Sequence, residues 1–108
     1  MDGPAERVRK RYVGFRVDVE DGSVPDRKAM VEAMDGANRA MGLQDRRRLT
    51  VFTGRLGIAK CEHKELEAMV QALTSIDTVG GHPVRVETLV TSGTIKKVKE
   101  HLGLDRRA

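Results

Sequence analysis

The sequence predicts an α+β domain, an antiparallel sheet with helices packed on it. Three observations predict this. Apolar and polar residues alternate with period two over residues 11–19 and 84–90, the signature of half-buried strands. Apolar residues recur at helical spacing in three other segments. Two apolar runs flank Gly54-Arg55, a two-residue loop with Gly first, which suits a type II′ hairpin. The order is strand, helix, strand, strand, helix, strand, helix.

In the first strand Val13, Phe15, Val17 and Val19 share one face, and Asp21-Gly22 ends it. Gly14 stands mid-strand, where the pattern calls for a larger residue. Ser23 is the expected N-cap of the first helix, with Pro25 in its first turn. Met30, Met34, Ala37 and Met41 form its apolar stripe, and Gly42 its stop. Gly36 inside that helix suggests a close neighbour. In the hairpin, Val51 is expected opposite Ile58 and Phe52 opposite Gly57. One face then carries Leu49, Val51, Leu56 and Ile58, and the other Phe52, Gly57, Ala59 and Cys61. Neither face is polar, so cover on both sides is expected. Residues 62–76 read as a second helix with the stripe Leu66, Met69, Val70 and Leu73, and His63 as a candidate cap. Gly80-Gly81 reads as a helix-to-strand turn. Val84, Val86, Thr88 and Val90 define the fourth strand's inner face. Ser92-Gly93-Thr94 opens a last helix with Ile95, Val98 and Leu102 apolar and Gly103 as its stop.

The first six elements make the βαββαβ sandwich of ferredoxin-like and RNA-recognition-motif-like domains, and the C-terminal helix is extra. The 108 residues suit one domain, 1–108, with an ordered core of about 10–103 and short polar or basic tails. A lone cysteine, Cys61, excludes an internal disulfide and points to a reducing compartment, so a cytoplasmic location is expected. No apolar run approaches a membrane span.

The net charge is +4, and its location says more than its total. Residues 1–16 hold five basic residues against two acidic ones, and so do residues 96–108, so each end carries +3 around a body of −2. Basic ends are commonly solvated tails. They also suit phosphate, and with only Tyr12, Phe15 and Phe52 aromatic the chain is poorly equipped to stack bases.

Catalytic constellations are weak. Cys61 and His63 form a single C-x-H with no second ligand pair, short of a structural zinc set. Nucleophilic chemistry at Cys61 lacks an evident base and orienting group. No catalytic residue, bound metal or bound cofactor is expected for this chain. What remains is phosphate contact. Arg9, Lys10 and Arg11 lead into the first strand, and Arg46, Arg47 and Arg48 into the second. Ser92, Thr94, Lys96, Lys97 and Lys99 surround a helix start, where free N–H groups and the helix dipole favour anions. The plain alternative is a capped helix with a solvated basic face.

Three segments carry a resemblance: Lys10-Arg11-Tyr12-Val13, Gly57-Ile58-Ala59-Lys60-Cys61-Glu62-His63, and above all Ser92-Gly93-Thr94-Ile95-Lys96-Lys97. They resemble the archaeal and eukaryotic ribonuclease P protein component 2 family, across roughly residues 10–102. The resemblance implies a subunit of a tRNA-processing ribonucleoprotein. In that endonuclease, a hydrolase, the RNA subunit with Mg²⁺ removes the 5′ leader of precursor tRNA. It further implies that the protein binds the ribonuclease P RNA and pairs with a second protein subunit in a two-plus-two assembly. A different reading is a protein-interaction module of ferredoxin-like fold, acting through Met30, Met34 and Met41 or through an open sheet face.

Overall fold

The computed structural model describes residues 9–43 and 48–104; the expected tails fall largely outside that range. β1 (Lys10–Val19) is the central strand. β3 (Leu56–Glu62) and β5 (His82–Ser92) pair antiparallel with its two sides. β2 (Leu49–Phe52) and β4 (Thr78–Val79) are the edges, so the sheet order is β2-β3-β1-β5-β4. Three helices complete the fold: α1 (Arg27–Ala40), α2 (Leu66–Ser75) and α3 (Ile95–Leu102). This is the predicted α+β class, compatible with a ferredoxin-like arrangement. The element order departs from the expected one by β4. Gly80 and Gly81, with φ of 60° and 85°, turn β4 back onto β5, so they close a hairpin instead of a simple helix-to-strand connection.

One sheet face packs against α1 and α2. Phe15 lies at its centre, fully buried with Val13, Met30 and Met69. Its ring occupies the space over Gly57, its cross-strand partner, where a Cβ would overlap it. Each such side chain stabilises the fold by about 1.5–3 kcal/mol through burial. Of the expected α1 stripe, Met30 and Met34 are core, but the next inward position is Asn38, and Met41 lies at the exposed C-cap.

Two bulges change the expected faces. The β2–β3 register matches the prediction at Val51↔Ile58 and Phe52↔Gly57, but it shifts between Leu49 and Val51. Leu49 therefore opposes Ala59 and joins the α1/α2 core, not the face of Val51 and Ile58. In β5, Phe15 opposes Thr88 whereas Gly14 opposes Val90, so Leu89 is the extra residue. Val90 is thereby turned to the other face, away from Val86. Strict alternation cannot anticipate a bulge, because one inserted residue inverts every later side chain.

The other face is covered by α3. Val98 is fully buried there, and a Cβ on Gly14 would stand 2.8 Å from Val90 Cγ1, 2.9 Å from Val98 Cγ1 and 3.1 Å from Leu102 Cδ1. Glycine at position 14 is what lets α3 lie this close to β1.

The helix starts differ from expectation in detail. The N-cap of α1 is Asp26, not Ser23; its Oδ1 accepts from the Ala29 N–H at 2.8 Å. Asp26 caps because α1 begins at Arg27, directly after it, whereas Ser23 stands three residues earlier in a local turn where its N–H bonds Asp21 Oδ1. A 3₁₀ turn (His63–Glu65) leads into α2, and its cap is Glu62, in a reciprocal capping box with Glu65, not His63. Thr94 caps α3, and Gly103 ends it at φ 76°, as expected. Gly36 is exposed, with nothing within 4 Å of where a Cβ would sit, so no neighbour requires it.

Two predictions follow from this packing. Gly14→Val should destabilise by about 1–3 kcal/mol through overpacking, whereas Gly36→Ala should stabilise by about 0.5–1 kcal/mol; urea midpoints of the two variants check both signs. Asp21 also joins distant turns: its Oδ2 meets His82 Nδ1 at 2.7 Å. Hydrogen bonds from the Ser23 hydroxyl and backbone, then from His82, lower its carboxyl to about 2. A carboxyl depressed in the fold adds stability above its unfolded value, about 3.9, and loses it as pH falls toward 2. The wild-type stability decline between pH 4 and 2 should accordingly be steeper than that of Asp21→Asn, measured by urea titration at each pH.

Candidate nucleic-acid interface

The sheet register gathers three chain segments at one end. Lys10 opposes Glu62, and Tyr12 opposes Lys60 on one side and Ser92 on the other. The start of β1, the end of β3 and the end of β5 are therefore neighbours. The Arg9 carbonyl accepts from the His63 N–H at 2.6 Å, which fixes the entry to β1 beside the 3₁₀ turn. Arg11 donates from Nη1 to the Lys10 carbonyl at 3.0 Å, and the same nitrogen stands 3.3 Å from where a Gly93 Cβ would be. Arg11 thus abuts the turn from β5 into α3, while Arg9 and Lys10 stand beside the end of β3 at the same end of the sheet.

That turn is built by its own hydroxyls. Ser92 Oγ accepts from the Thr94 N–H at 3.3 Å, and Thr94 Oγ1 accepts from the Lys97 N–H at 3.4 Å. The helix that follows places Ile95, Val98 and Leu102 against the sheet, so Lys96 and Lys97 are left exposed and Lys99 half-buried. The first turn of α3 presents N–H groups without helical acceptors and the positive end of the dipole. Arg11 and the α3 lysines then flank one helix start, with Arg9 and Lys10 at the same end of the sheet. Such a surface attracts phosphate by charge and by hydrogen bonding.

The second predicted basic run divides. Arg46 and Arg47 lie outside the described residues. Arg48 is not a surface contact: it is 4% exposed, and its guanidinium grips Glu65 through two bonds, Nη1–Oε1 at 3.0 Å and Nη2–Oε2 at 3.2 Å. Glu65 Oε1 also accepts from the Glu62 N–H at 3.0 Å. Arg48 is therefore a structural residue that ties the start of β2 to the entry of α2.

The structure adds residues that sequence reasoning missed. Lys60 faces Tyr12 across the ladder, and exposed His63 and Lys64 sit beside Arg9. The signal for Lys60 was present, since extending the hairpin register along β3 and pairing it with β1 brings Lys60 to this end.

Cys61 is buried, and burial, with help from the Glu65 charge, pushes its thiol up to about 11. It stays a neutral thiol at physiological pH, unsuited to nucleophilic attack. Among the described residues no group of three or more His, Cys, Asp or Glu could hold a metal ion. Among the described residues, no helix is long and apolar enough to cross a membrane. The surfaces of the interaction-module reading are reduced, because Met30 and Met34 are core and α3 lies on the sheet face that was to be open.

Fold and site together define a class: a small α+β domain with a cationic strand end that offers charge and backbone donors. The chain belongs to the Rpp14/Pop5 family, which it matches over residues 11–103. It is 35% identical over 103 residues to the ribonuclease P protein component 2 of Archaeoglobus fulgidus, covering 89% of this chain and 90% of that protein. The family resemblance drawn from the Ser92–Lys97 segment is thereby shown. In fold it is similar to a chain in the cryo-EM structure of yeast ribonuclease MRP, with a TM-score of 0.64, 14% identity, and coverage of 90% of this chain and 93% of that one.

The basic residues divide into structural and surface groups, and stability measurements should separate them. Arg48→Ala strands the Glu65 carboxylate and should cost about 3 kcal/mol, while Lys97→Ala should stay within about 0.5 kcal/mol of wild type; urea denaturation of both variants checks the contrast.

Proposed function

We propose that this chain is a protein subunit of ribonuclease P that binds the catalytic RNA through phosphate contacts and supports removal of the 5′ leader from precursor tRNA. The observation that carries this reading is that Arg11 meets the turn into α3 at the end of the sheet where Arg9 and Lys10 enter β1. Its similarity to an archaeal ribonuclease P protein supports it. Lys96, Lys97 and Lys99 extend the cationic surface, with Ser92 and Thr94 shaping the turn and Lys60, His63 and Lys64 flanking it. Arg46 and Arg47, beside Arg48 in sequence, are proposed to add charge, and Arg48 holds the scaffold.

In this role the protein neutralises phosphates that would otherwise repel each other as the RNA compacts. The bond-breaking chemistry belongs to the RNA with its Mg²⁺. A second ribonuclease P protein in a two-plus-two assembly, precursor tRNA as the substrate of the complex and a cytoplasmic location complete the proposal.

Binding through four to six phosphates gives a log–log salt slope of about −3 to −5. Filter binding of the full chain to ribonuclease P RNA should show that slope. The double variant Lys96→Ala/Lys97→Ala should flatten it by about two units and weaken binding similarly for all RNA sequences. A slope near zero for the wild type would sink the phosphate reading.

A further inference from the structure

A second feature lies away from the α3 start. Between α1 and the beginning of β2 is a cleft of about 350 Å³. That volume is at the small end of ligand clefts, roughly 300–1,000 Å³. Val31, Met34 and Leu49 supply its apolar walls. Asn38 lines it from the inward face of α1 and is only 2% exposed. No described residue makes a hydrogen bond to its side-chain amide, although the Asn38 carbonyl is used by the Leu43 N–H at 2.8 Å. A buried amide without a partner is costly, so its position in a cleft wall points to a ligand that completes it.

Charge selects the kind of ligand. Arg27 and Asp35 line the cleft with opposite signs, and the guanidinium of Arg48 is held by Glu65. The described residues of its walls are therefore close to neutral in sum. Among these residues a phosphate or carboxylate would meet Asp35 with no excess positive charge to hold it. A neutral, flat, polar-edged group suits the cleft better. Arg27 is fixed at the rim by its bond from Nη2 to the Leu49 carbonyl at 2.8 Å, which leaves a planar group beside the opening. Guanidinium planes stack on nucleobases, and an Asn amide pairs in bidentate fashion with the N6/N7 edge of adenine.

The cleft also adjoins the cationic end. The Arg48 carbonyl accepts from the Lys60 N–H at 2.7 Å, and Lys60 opposes Tyr12. One RNA can therefore reach both places. We propose that this cleft takes a single unstacked nucleobase of the bound RNA, adenine above the others, read by the Asn38 amide. The inference rests on the RNA-binding reading above and adds base recognition to phosphate contact.

The test uses the ¹⁵N-labelled, methyl-labelled full chain titrated with the tetranucleotides rA4, rC4, rG4 and rU4. The expected result is a saturable shift of the Asn38 side-chain NH₂ and the Met34 methyl, tightest for rA4. Asn38→Asp, which keeps the shape but removes the NH₂ donor, should weaken rA4 binding about five- to a hundredfold. Its own spectrum reports whether it is folded; if it is not, the wild-type shifts decide alone. Shifts confined to Arg9, Lys10, Arg11, Lys96 and Lys97, with the cleft unmoved, would overturn the base site and leave the RNA reading standing. No shift at any residue, together with a flat salt dependence for ribonuclease P RNA, would remove both. Saturation of the cleft by a glutamine-rich peptide and by none of the tetranucleotides would overturn the proposal in favour of a protein partner.

Discussion

The close approach of α3 to β1 at Gly14 is the constraint on which the rest of this structure depends. Three apolar side chains, Val90, Val98 and Leu102, fill the space that any side chain at position 14 would need. The contact requires Val90 to face α3, and that follows from the bulge at Leu89. It also places the start of α3 beside the first residues of β1. Remove the bulge, and Val90 turns toward α1 and α2, the apolar stripe of α3 loses its seat, and the lysines of its first turn have no fixed position. A packing feature of the core thus determines where the surface charge stands.

A second node holds the opposite layer. Glu65 receives the Arg48 guanidinium and the Glu62 N–H, so one carboxylate joins β2, β3 and the entry of α2. Such an ion pair fixes geometry more than it adds net stability, because desolvation offsets much of the attraction. Here the geometry concerns the cationic end directly. The Arg48 backbone receives the Lys60 N–H, and the 3₁₀ turn that Glu65 ends gives its first N–H to the Arg9 carbonyl. One member of an arginine run has become the support on which other cations are mounted.

Much of this architecture was legible in the sequence. The alternation in β1, the two-residue hairpin loop and the stripes of α2 and α3 all follow from short-range periodicity, and periodicity survives folding where packing is regular. The hairpin register at Val51 and Phe52 came out as read because loop length dictates it. What escaped are places where a local rule competes with a tertiary demand. Thr50 and Leu89 are inserted residues that no alternation signals. Asp26 caps α1 because the helix begins at Arg27, three residues beyond where the Ser23 signal placed it. The cationic site was half legible: its residues could be named, but not that Arg48 turns inward, since three adjacent arginines look alike in a charge count. Gly14 looked like a defect in a strand and is the seat of a helix.

The position of α3 also explains why so few aromatic residues suffice. In an RNA-recognition motif the sheet face is kept open and carries aromatic rings on which bases stack. Here the corresponding face is occupied, with Val98 fully buried on it and Tyr12 half-buried. A stacking platform at that place would be unreachable, so aromatic residues there would gain nothing from RNA. On the proposed function, RNA contact at this end of the sheet would run through charge and backbone donors, which read phosphates and not sequence. Any base reading has to occur off the sheet, in a recess with its own hydrogen-bonding groups. The α1–β2 cleft, lined by Asn38 and Arg27, is a recess of that kind, so a covered sheet and the proposed base site are compatible in one fold.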